Sequence, residues 1–444
     1  MAPNQRTGNS EAMSLVDDLA RQALAKARFG RALTWFARTP LPILRSDWYA
    51  DRQPERGEQT ASPLVSEVTA REPGPGTVLR GDVVVKDQID VAGMRTGVGL
   101  ADGGELATED APLVARITAA GGRIIGKGKM TEVGTDALGT VMHYAMPRNP
   151  RAPGYAPGGS STGPAVAVAS GIARWAVGGD GLGSIRIPAA FCGVVGFKPG
   201  RARIERAGIR SPVRTLDAIG PIARTVEDCA LLWQVMAGEP IAPVTPWVPD
   251  RVGVPVIGLR AARSVAAAFH RMLAALSIEL ERVVIPGAQS ATLLGGVTGV
   301  YEMATGPVGW RATTAPARSR FALGNSLTPS DVARLVAQRA ALCEATERAM
   351  SRTPILAMPT TAIPPPALTR AVLDAKASIP LLRAVGAYTP LANLCDLPSI
   401  AVPCGEDDRG RPLSIMFVAG RGEETRLLRI ALAVERTGLG RARI

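Results

Sequence analysis

Three neighbouring stretches, GKGKM (126–130), GGSST (158–162) and GGDGLGSIRIP (178–188), carry the pattern that decides the fold of this chain. Glycine and serine are dense in the last two, so many backbone N–H groups are free to converge on one point. Such convergence is what an oxyanion hole or an anion-binding nest requires. A pair of tight turns capped by serines is the alternative that these residues alone leave open.

A strand–helix–strand rhythm surrounds these stretches. Residues 83–85 and 123–125 predict buried strands, and residues 110–120 predict a helix between them. Further predicted elements are helices at 165–176, 225–236 and 423–435, strands at 251–257, 354–358 and 400–402, and a mostly helical region at 258–350. Alternation of this kind predicts an α/β fold built on a central sheet.

The first 75 residues differ in texture from the rest of the chain. Residues 14–37 predict a helix whose leucines share one side. Residues 53–75 are rich in proline, glutamate and glycine and predict a linker or surface loop. We therefore expect an N-terminal helical arm and linker over residues 1–75, followed by one large domain over residues 76–444.

The 444 residues carry a net charge of +12 and a pI near 10.1. The basic surplus is almost all arginine, scattered among alanines, and aromatic residues make up only 4% of the chain. Nucleic acid is not expected as a ligand, because its binding needs clustered cations and stacking aromatics. No apolar run reaches the length of a membrane span, and the five widely spaced cysteines fit a reducing compartment. We expect a cytoplasmic protein that does not bind membranes.

Histidine is rare, with only His143 and His270 in the whole chain. None of the short metal-site spacings is present, and we expect neither a metal ion nor a cofactor. If the chain is a hydrolase, its base is therefore a carboxylate or a lysine with a lowered pKa. Residues 159–163 match GxSxG with Ser161 at the centre, but no strand precedes them as a nucleophile elbow requires.

Several ordered motifs resemble the amidase signature family. The core of the resemblance covers 157–171 and 178–199, and the outlying matches are 85–87, 91–93, 126–132, 148–150, 216–228 and 388–403. The resemblance spans roughly residues 81–435 and is loose between 258 and 350. It implies the family's fold, a large mixed central β-sheet covered by helices on both faces, with residues 76–444 as the catalytic domain.

The family cleaves amides with a Ser–cis-Ser–Lys triad and an acyl-enzyme intermediate. Carried over motif by motif, the resemblance gives Ser184 as the nucleophile, Ser160 as the bridging cis-serine and Lys127 as the base. Burial lowers the pKa of a lysine, so Lys127 would be able to accept a proton. The implied oxyanion hole consists of the backbone N–H groups of three successive residues, Gly181, Leu182 and Gly183.

Two residues depart from the family pattern. Leu182 stands where a glycine is usual, and a left-handed backbone there would cost about 1–2 kcal/mol. Lys129 stands where an asparagine is common, and on a strand it would share a face with Lys127. Our hypothesis is that Lys129 either lowers the pKa of Lys127 or binds an acidic substrate, with a solvated surface lysine as the alternative.

The resemblance leaves several functions open. The leading expectation is an amidase that hydrolyses the C–N bond of a small-molecule linear carboxamide. The first alternative is an amidotransferase A-type subunit, which takes ammonia from glutamine for a partner's substrate. The second is an acyltransferase or amide synthase that uses the same acyl-enzyme, and the third is a catalytically silent scaffold. The substrate-binding residues cannot be assigned from the sequence, and a homodimer is an open alternative.

Overall fold

The computed structural model of the chain describes residues 59–60, 62–67, 74–257, 260–373 and 379–440. The strands are β1 (Gln59–Thr60), β2 (Leu64–Glu67), β3 (Gly81–Lys86), β4 (Arg95–Thr96), β5 (Glu105–Leu106), β6 (Gly122–Gly128), β7 (Met146–Pro147), β8 (Trp175–Asp180), β9 (Val195–Lys198), β10 (Ala218–Ala223), β11 (Arg251–Pro255), β12 (Glu279–Val283), β13 (Ile355–Pro359), β14 (Ser399–Glu406) and β15 (Pro412–Ala419). The helices are α1 (Pro112–Ala119), α2 (Thr162–Ala169), α3 (Arg186–Cys192), α4 (Val226–Ala237), α5 (Arg263–Ala275), α6 (Ala291–Thr305), α7 (Ala315–Asn325), α8 (Pro329–Met350), α9 (Arg370–Leu373), α10 (Ile379–Val385), α11 (Pro390–Leu394) and α12 (Glu424–Arg436).

Eleven of these strands form one mixed sheet in the order β12-β11-β13-β15-β14-β9-β10-β8-β3-β6-β2. Neighbours β8, β3 and β6 are parallel, as are β13, β11 and β12, whereas the strands between these two groups pair antiparallel. The large mixed sheet with helices confirms the predicted α/β fold class. Within the described residues, no helix is both long and apolar enough to cross a bilayer.

Strand alternation assigns the two faces of the sheet to different helices. Val84 belongs to the apolar cluster that includes the fully buried helix α2, whereas Val83 and Val85 pack in the cluster that includes α1 and α4. Successive side chains on a strand point to opposite faces, so this division follows from the pattern of β3. Helix α4 begins as predicted, with the Thr225 side chain accepting a hydrogen bond from Asp228 N.

The structure corrects three of the predicted elements. The predicted linker at 53–75 contains β2, which pairs antiparallel with β6 at the edge of the main sheet. The predicted helix at 165–176 is α2, which ends at Ala169, and its last two predicted residues begin strand β8. The mostly helical region at 258–350 includes strand β12. The predicted arm helix at 14–37 lies outside the described residues.

Candidate active site

Two parallel strands end side by side at one edge of the sheet and carry the polar residues of the site. Lys86 is the last residue of β3, and Asp180 is the last residue of its parallel neighbour β8. The carboxyl ends of parallel strands meet at the same edge, which is where open α/β sheets bind ligands. The nucleophile loop, residues 181–185, leaves the sheet at this edge.

Helix α2 brings the first serine loop to the same edge. Gly163 lies against the end of β6, where its N–H donates to Lys129 O at 2.7 Å. A Cβ at position 163 would lie only 2.2 Å from Lys129 N, so the approach requires glycine. Ser161 precedes α2 and is fully buried, with its hydroxyl donating to Gly179 O at 3.1 Å. The GxSxG match at Ser161 is therefore a structural contact between α2 and β8.

Ser160 contacts a lysine, and that lysine is Lys86. Lys86 Nζ lies 2.8 Å from Ser160 Oγ and 3.0 Å from Gly179 O, and both side chains are almost completely buried. The Gly159–Ser160 peptide bond is cis. A backbone hydrogen bond of 3.1 Å from Ser161 N to Ser184 O joins the two serine loops. The structure thus brings Lys86, Ser160 and Ser184 together.

The prediction that Lys127 reaches Ser160 is wrong. Lys127 pairs in register with Val85, so its side chain leaves the sheet on the face opposite to that of Lys86. There its ammonium donates to Ile89 O and, at 3.0 Å, to Thr96 Oγ1. The signal that the sequence offered for Lys86 was its place at the end of the apolar run Val83–Val85.

The side chains of Lys86 and Lys127 both have a lowered pKa. Burial lowers the pKa of Lys86 to about 8, although the carboxylates of Asp217 and Asp180 raise it in part. Burial likewise lowers the pKa of Lys127 to about 8, against the opposing effect of Asp87. A lysine of this pKa holds an appreciable neutral fraction near neutral pH and can accept a proton there.

Lys129 is buried and is not among the residues that line the cleft, so it is not the solvated surface lysine of our alternative. Its ammonium donates to the backbone oxygens of Ser62 at 3.0 Å and of Ala145 at 3.2 Å. Burial lowers the pKa of Lys129 itself, whereas the charges that act on Lys127 are those of Asp87, Asp90 and Arg210. Lys129 therefore ties the residues just before β2 and β7 to the end of β6.

A buried ion pair shapes the nucleophile loop. Arg186 donates to both carboxylate oxygens of Asp180 at 2.9 Å, and both side chains are completely buried. Burial opposes ionisation of Asp180, but the Arg186 guanidinium outweighs it and holds the pKa of that carboxyl well below its usual range. Asp180 also accepts hydrogen bonds from the backbone N–H groups of Gly183 at 2.6 Å and Ile185 at 3.1 Å. The carboxylate thus fixes the backbone on both sides of Ser184.

These contacts bear on the predicted oxyanion hole. The Gly183 N–H already donates to Asp180 Oδ1 at 2.6 Å, so this donor is engaged in the structure. Gly181 and Leu182 both line the cleft beside Ser184. The positive φ of 122° belongs to Gly183 and not to Leu182. Leu182 therefore does not have the energetic cost of a left-handed backbone.

The cleft at this edge has a volume of about 50 Å³. Its lining joins the serine and lysine site to an apolar wall and consists of Lys86, Gln88, Val133, Gly134, Ser160, Gly179, Gly181, Leu182, Ser184, Pro212, Val213, Asp217 and Met303. Gln88 Nε2 donates to the buried carboxylate of Asp217 at 2.8 Å, a pair that the sequence did not predict. Within the described residues, no cluster of three or more His, Cys, Asp or Glu side chains is arranged to hold a metal ion.

Comparison with known proteins places this geometry in a family. The family model described as Amidase matches residues 70–255 and 311–428. The A-type subunit of a glutamyl-tRNA(Gln) amidotransferase from Koribacter versatilis (strain Ellin345) is 31% identical over 404 residues, which cover 80% of this chain and 83% of that protein. A fatty acid amide hydrolase from Medicago truncatula is 31% identical over 368 residues, which cover 74% of this chain and 59% of that protein.

A solved structure described as an amidase superposes with a TM-score of 0.72 at 27% sequence identity, covering 92% of this chain and 98% of that one. The fold, the sequence identity over four fifths of the chain and the family model agree with one another. The chain belongs to the amidase signature family.

Proposed function

We propose that the chain is an amidase that cleaves the C–N bond of a linear carboxamide through an acyl-enzyme on Ser184. The observation that carries this proposal is the 2.8 Å contact between Lys86 Nζ and Ser160 Oγ in the cleft that Ser184 also lines. A serine hydroxyl is a weak nucleophile until a base takes its proton. Lys86, with its pKa lowered by burial to about 8, is the base in this proposal.

The proton path follows from the donors and acceptors present. Neutral Lys86 accepts the proton of the Ser160 hydroxyl while Ser160 accepts the proton of Ser184, because a hydroxyl both donates and accepts. Ser184 Oγ then bonds to the amide carbon, and the carbonyl oxygen becomes an oxyanion. The backbone N–H groups of Gly181 and Leu182 are the donors that we assign to it.

Collapse of this tetrahedral intermediate breaks the C–N bond. The proton held on Lys86 returns through Ser160 to the departing nitrogen, which leaves as a neutral amine or ammonia. Water then attacks the ester carbon, losing its proton through Ser160 to Lys86, and the released Ser184 oxygen takes that proton back. The cycle returns all three residues to their starting protonation states.

Covalent labelling tests the assignment of the nucleophile. A fluorophosphonate should add one phosphonyl group to Ser184, located by peptide mass spectrometry, and Ser184→Ala should abolish it. Ser161→Ala is the matched control, because Ser161 is a buried hydroxyl in the neighbouring loop and should leave labelling of Ser184 in place. Labelling that survives in Ser184→Ala would contradict the proposal. A panel of primary amides, anilides, ureas and acylated amines would then define the substrate.

An amidotransferase A-type subunit is the second candidate. The observation in its favour is the 31% identity to the Koribacter versatilis protein over most of both chains. Such a protein releases ammonia from glutamine, so ammonia release should be measured with glutamine and with a neutral amide of similar size. In the related alternative, an acyltransferase or amide synthase, the acyl group on Ser184 is transferred to an amine instead of to water. Added hydroxylamine would then divert the acyl group into a hydroxamate at the expense of the free acid.

A further inference from the structure

One face of helix α6 packs against Leu182 and reaches the cleft at Met303. Gly295, Gly299 and Met303 recur every four residues and therefore lie on the same side of this helix. A Cβ at position 295 would lie 2.6 Å from Leu182 Cδ2, and one at position 299 would lie 3.7 Å from Leu182 Cδ1. The Leu182 side chain thus packs on the helix backbone at these two glycines. Met303, on the same face of the helix, lines the cleft.

Leu182 has little freedom to move away from this helix. Thr389 Oγ1 donates to Leu182 O at 2.6 Å, and the next residue, Gly183, is held by its hydrogen bond to Asp180. Val213 closes the other side, where a Cβ at position 181 would lie 2.6 Å from Val213 Cγ2. The backbone of Leu182 is therefore held in place, and its side chain occupies space that a Cβ at position 295 would take.

The surroundings of Leu182 in the cleft are apolar. Val133, Val213 and Met303 line the cleft with it, and the same cleft is lined by Lys86, Ser160 and Ser184. The cleft is narrow, because its volume of about 50 Å³ lies below the usual range for ligand pockets. The acyl part of a bound amide has to fit between these apolar side chains and Ser184.

We infer that Leu182 is a specificity-determining residue that limits the acyl group to short neutral chains. Gly295 leaves room for the Leu182 side chain, so this side chain narrows the cleft without blocking it. This inference rests on the proposed function, because it concerns the acyl group transferred to Ser184. Short aliphatic amides, from acetamide to butyramide, are the substrate class that Leu182 selects.

A series of fluorophosphonates tests the inference without a known substrate. The probes carry methyl, butyl or dodecyl groups on phosphorus, and the second-order rate constant for modification of Ser184 is measured by intact mass. Wild type should favour methyl over dodecyl by about tenfold or more, since steric limits in an apolar pocket produce effects of this size. Leu182→Ala should remove most of this preference while it keeps the backbone N–H at position 182.

The space at Gly295 makes a second, opposite prediction. Gly295→Ala should push Leu182 towards the cleft and slow the butyl probe about fivefold more than the methyl probe, because overpacking displaces the neighbouring side chain. In Leu182→Ala/Gly295→Ala this added selectivity should disappear. Gly296→Ala is the matched control, because no atom lies within 4 Å of a Cβ built there. It should leave the ratio of rates unchanged.

The possible results separate this inference from the proposed function. If no probe modifies Ser184 in wild type, the proposed function fails and this inference fails with it. If Ser184 is modified but Leu182→Ala leaves the methyl-to-dodecyl ratio unchanged, the inference alone is overturned. Thermal unfolding of each variant shows whether it is folded. If Gly295→Ala does not fold, Leu182→Ala by itself decides the matter.

Discussion

Lys86 and Lys127 lie on adjacent parallel strands, yet their side chains project from opposite faces of the sheet. Val85 pairs in register with Lys127, so Lys86 pairs one position later and points the other way. Both ammonium groups are buried, and burial lowers the pKa of each to about 8. Their acidity therefore does not distinguish them. What distinguishes them is their partner: Ser160 Oγ for Lys86, and Ile89 O with Thr96 Oγ1 for Lys127.

Replacing each lysine by methionine separates the two roles. Lys86→Met should lower kcat/KM for amide hydrolysis by about 10²–10⁴-fold, because the general base is lost. Lys127→Met should stay within about tenfold of wild type but unfold more easily by about 1–3 kcal/mol, because Ile89 O and Thr96 Oγ1 lose their buried donor. Steady-state kinetics and urea unfolding measure the two effects. A folded but inactive Lys127→Met would restore Lys127 as the base.

The sequence predicted that Ser160 and Ser184 share one site with Lys127, whereas the structure brings the two serines together with Lys86, for a geometric reason. Ser160 and Ser184 belong to contiguous glycine-rich motifs whose local order determines their loops. Lys86 lies on β3 and Lys127 on the neighbouring strand β6. On either strand, a shift of one residue reverses the face to which a side chain points. The pairing of β3 with β6 shifts register once, between Val83 and Val84. The faces to which Lys86 and Lys127 point relative to each other therefore cannot be predicted from the sequence alone.

The missed strands have a similar cause. β8 (WAVGGD) contains two glycines and follows closely after helix α2, which consists of small apolar residues. Composition alone therefore predicts that the helix continues into the strand. β2 lies in a stretch rich in proline and glutamate and becomes a strand through pairing with β6. Such edge pairing is a tertiary contact, and local composition overrode it in the prediction. Helices α4 and α12, by contrast, carry their own period, and each begins and ends within one residue of its predicted bounds.

The Asp180–Arg186 pair should be a large contributor to the stability of the nucleophile loop. Arg186→Leu should lower the free energy of unfolding by about 3–5 kcal/mol, because it leaves a buried carboxylate without its cation. Denaturant unfolding measures this loss, with Arg123→Leu as the control. Arg123 pairs with Asp82 at a largely exposed site, so that loss should stay within about 1 kcal/mol. Equal losses in the two variants would show that the buried pair has no special weight.

One cysteine should react well before the others. The neighbouring Cys395 thiol, with Arg339 and Arg421, lowers the pKa of the half-buried Cys343 thiol against the effect of burial. Burial raises the pKa of the Cys192 and Cys404 thiols instead. At pH 7.5, the native protein should therefore show one fast equivalent of reaction with 5,5′-dithiobis(2-nitrobenzoate), since the thiolate is the nucleophile.

The matching variants identify that cysteine. Cys343→Ser should remove the fast phase, whereas Cys404→Ser should leave it intact because that thiol is buried. A fast phase that persists in Cys343→Ser would disprove the assignment. Denatured protein, in which all five thiols are exposed, gives the full amplitude against which one equivalent is counted.

The pH dependence of catalysis should report the protonation of Lys86. The base acts only when neutral, so kcat/KM should rise with pH and level off above a midpoint near 8, where burial has lowered the pKa of Lys86. The nearby Asp217 carboxylate raises that pKa, so Asp217→Asn should move the midpoint to lower pH. Asp82→Asn removes an equal charge at the opposite end of β3 and should leave the midpoint in place. A midpoint that is the same in Asp217→Asn as in wild type would mean that Lys86 does not set the profile.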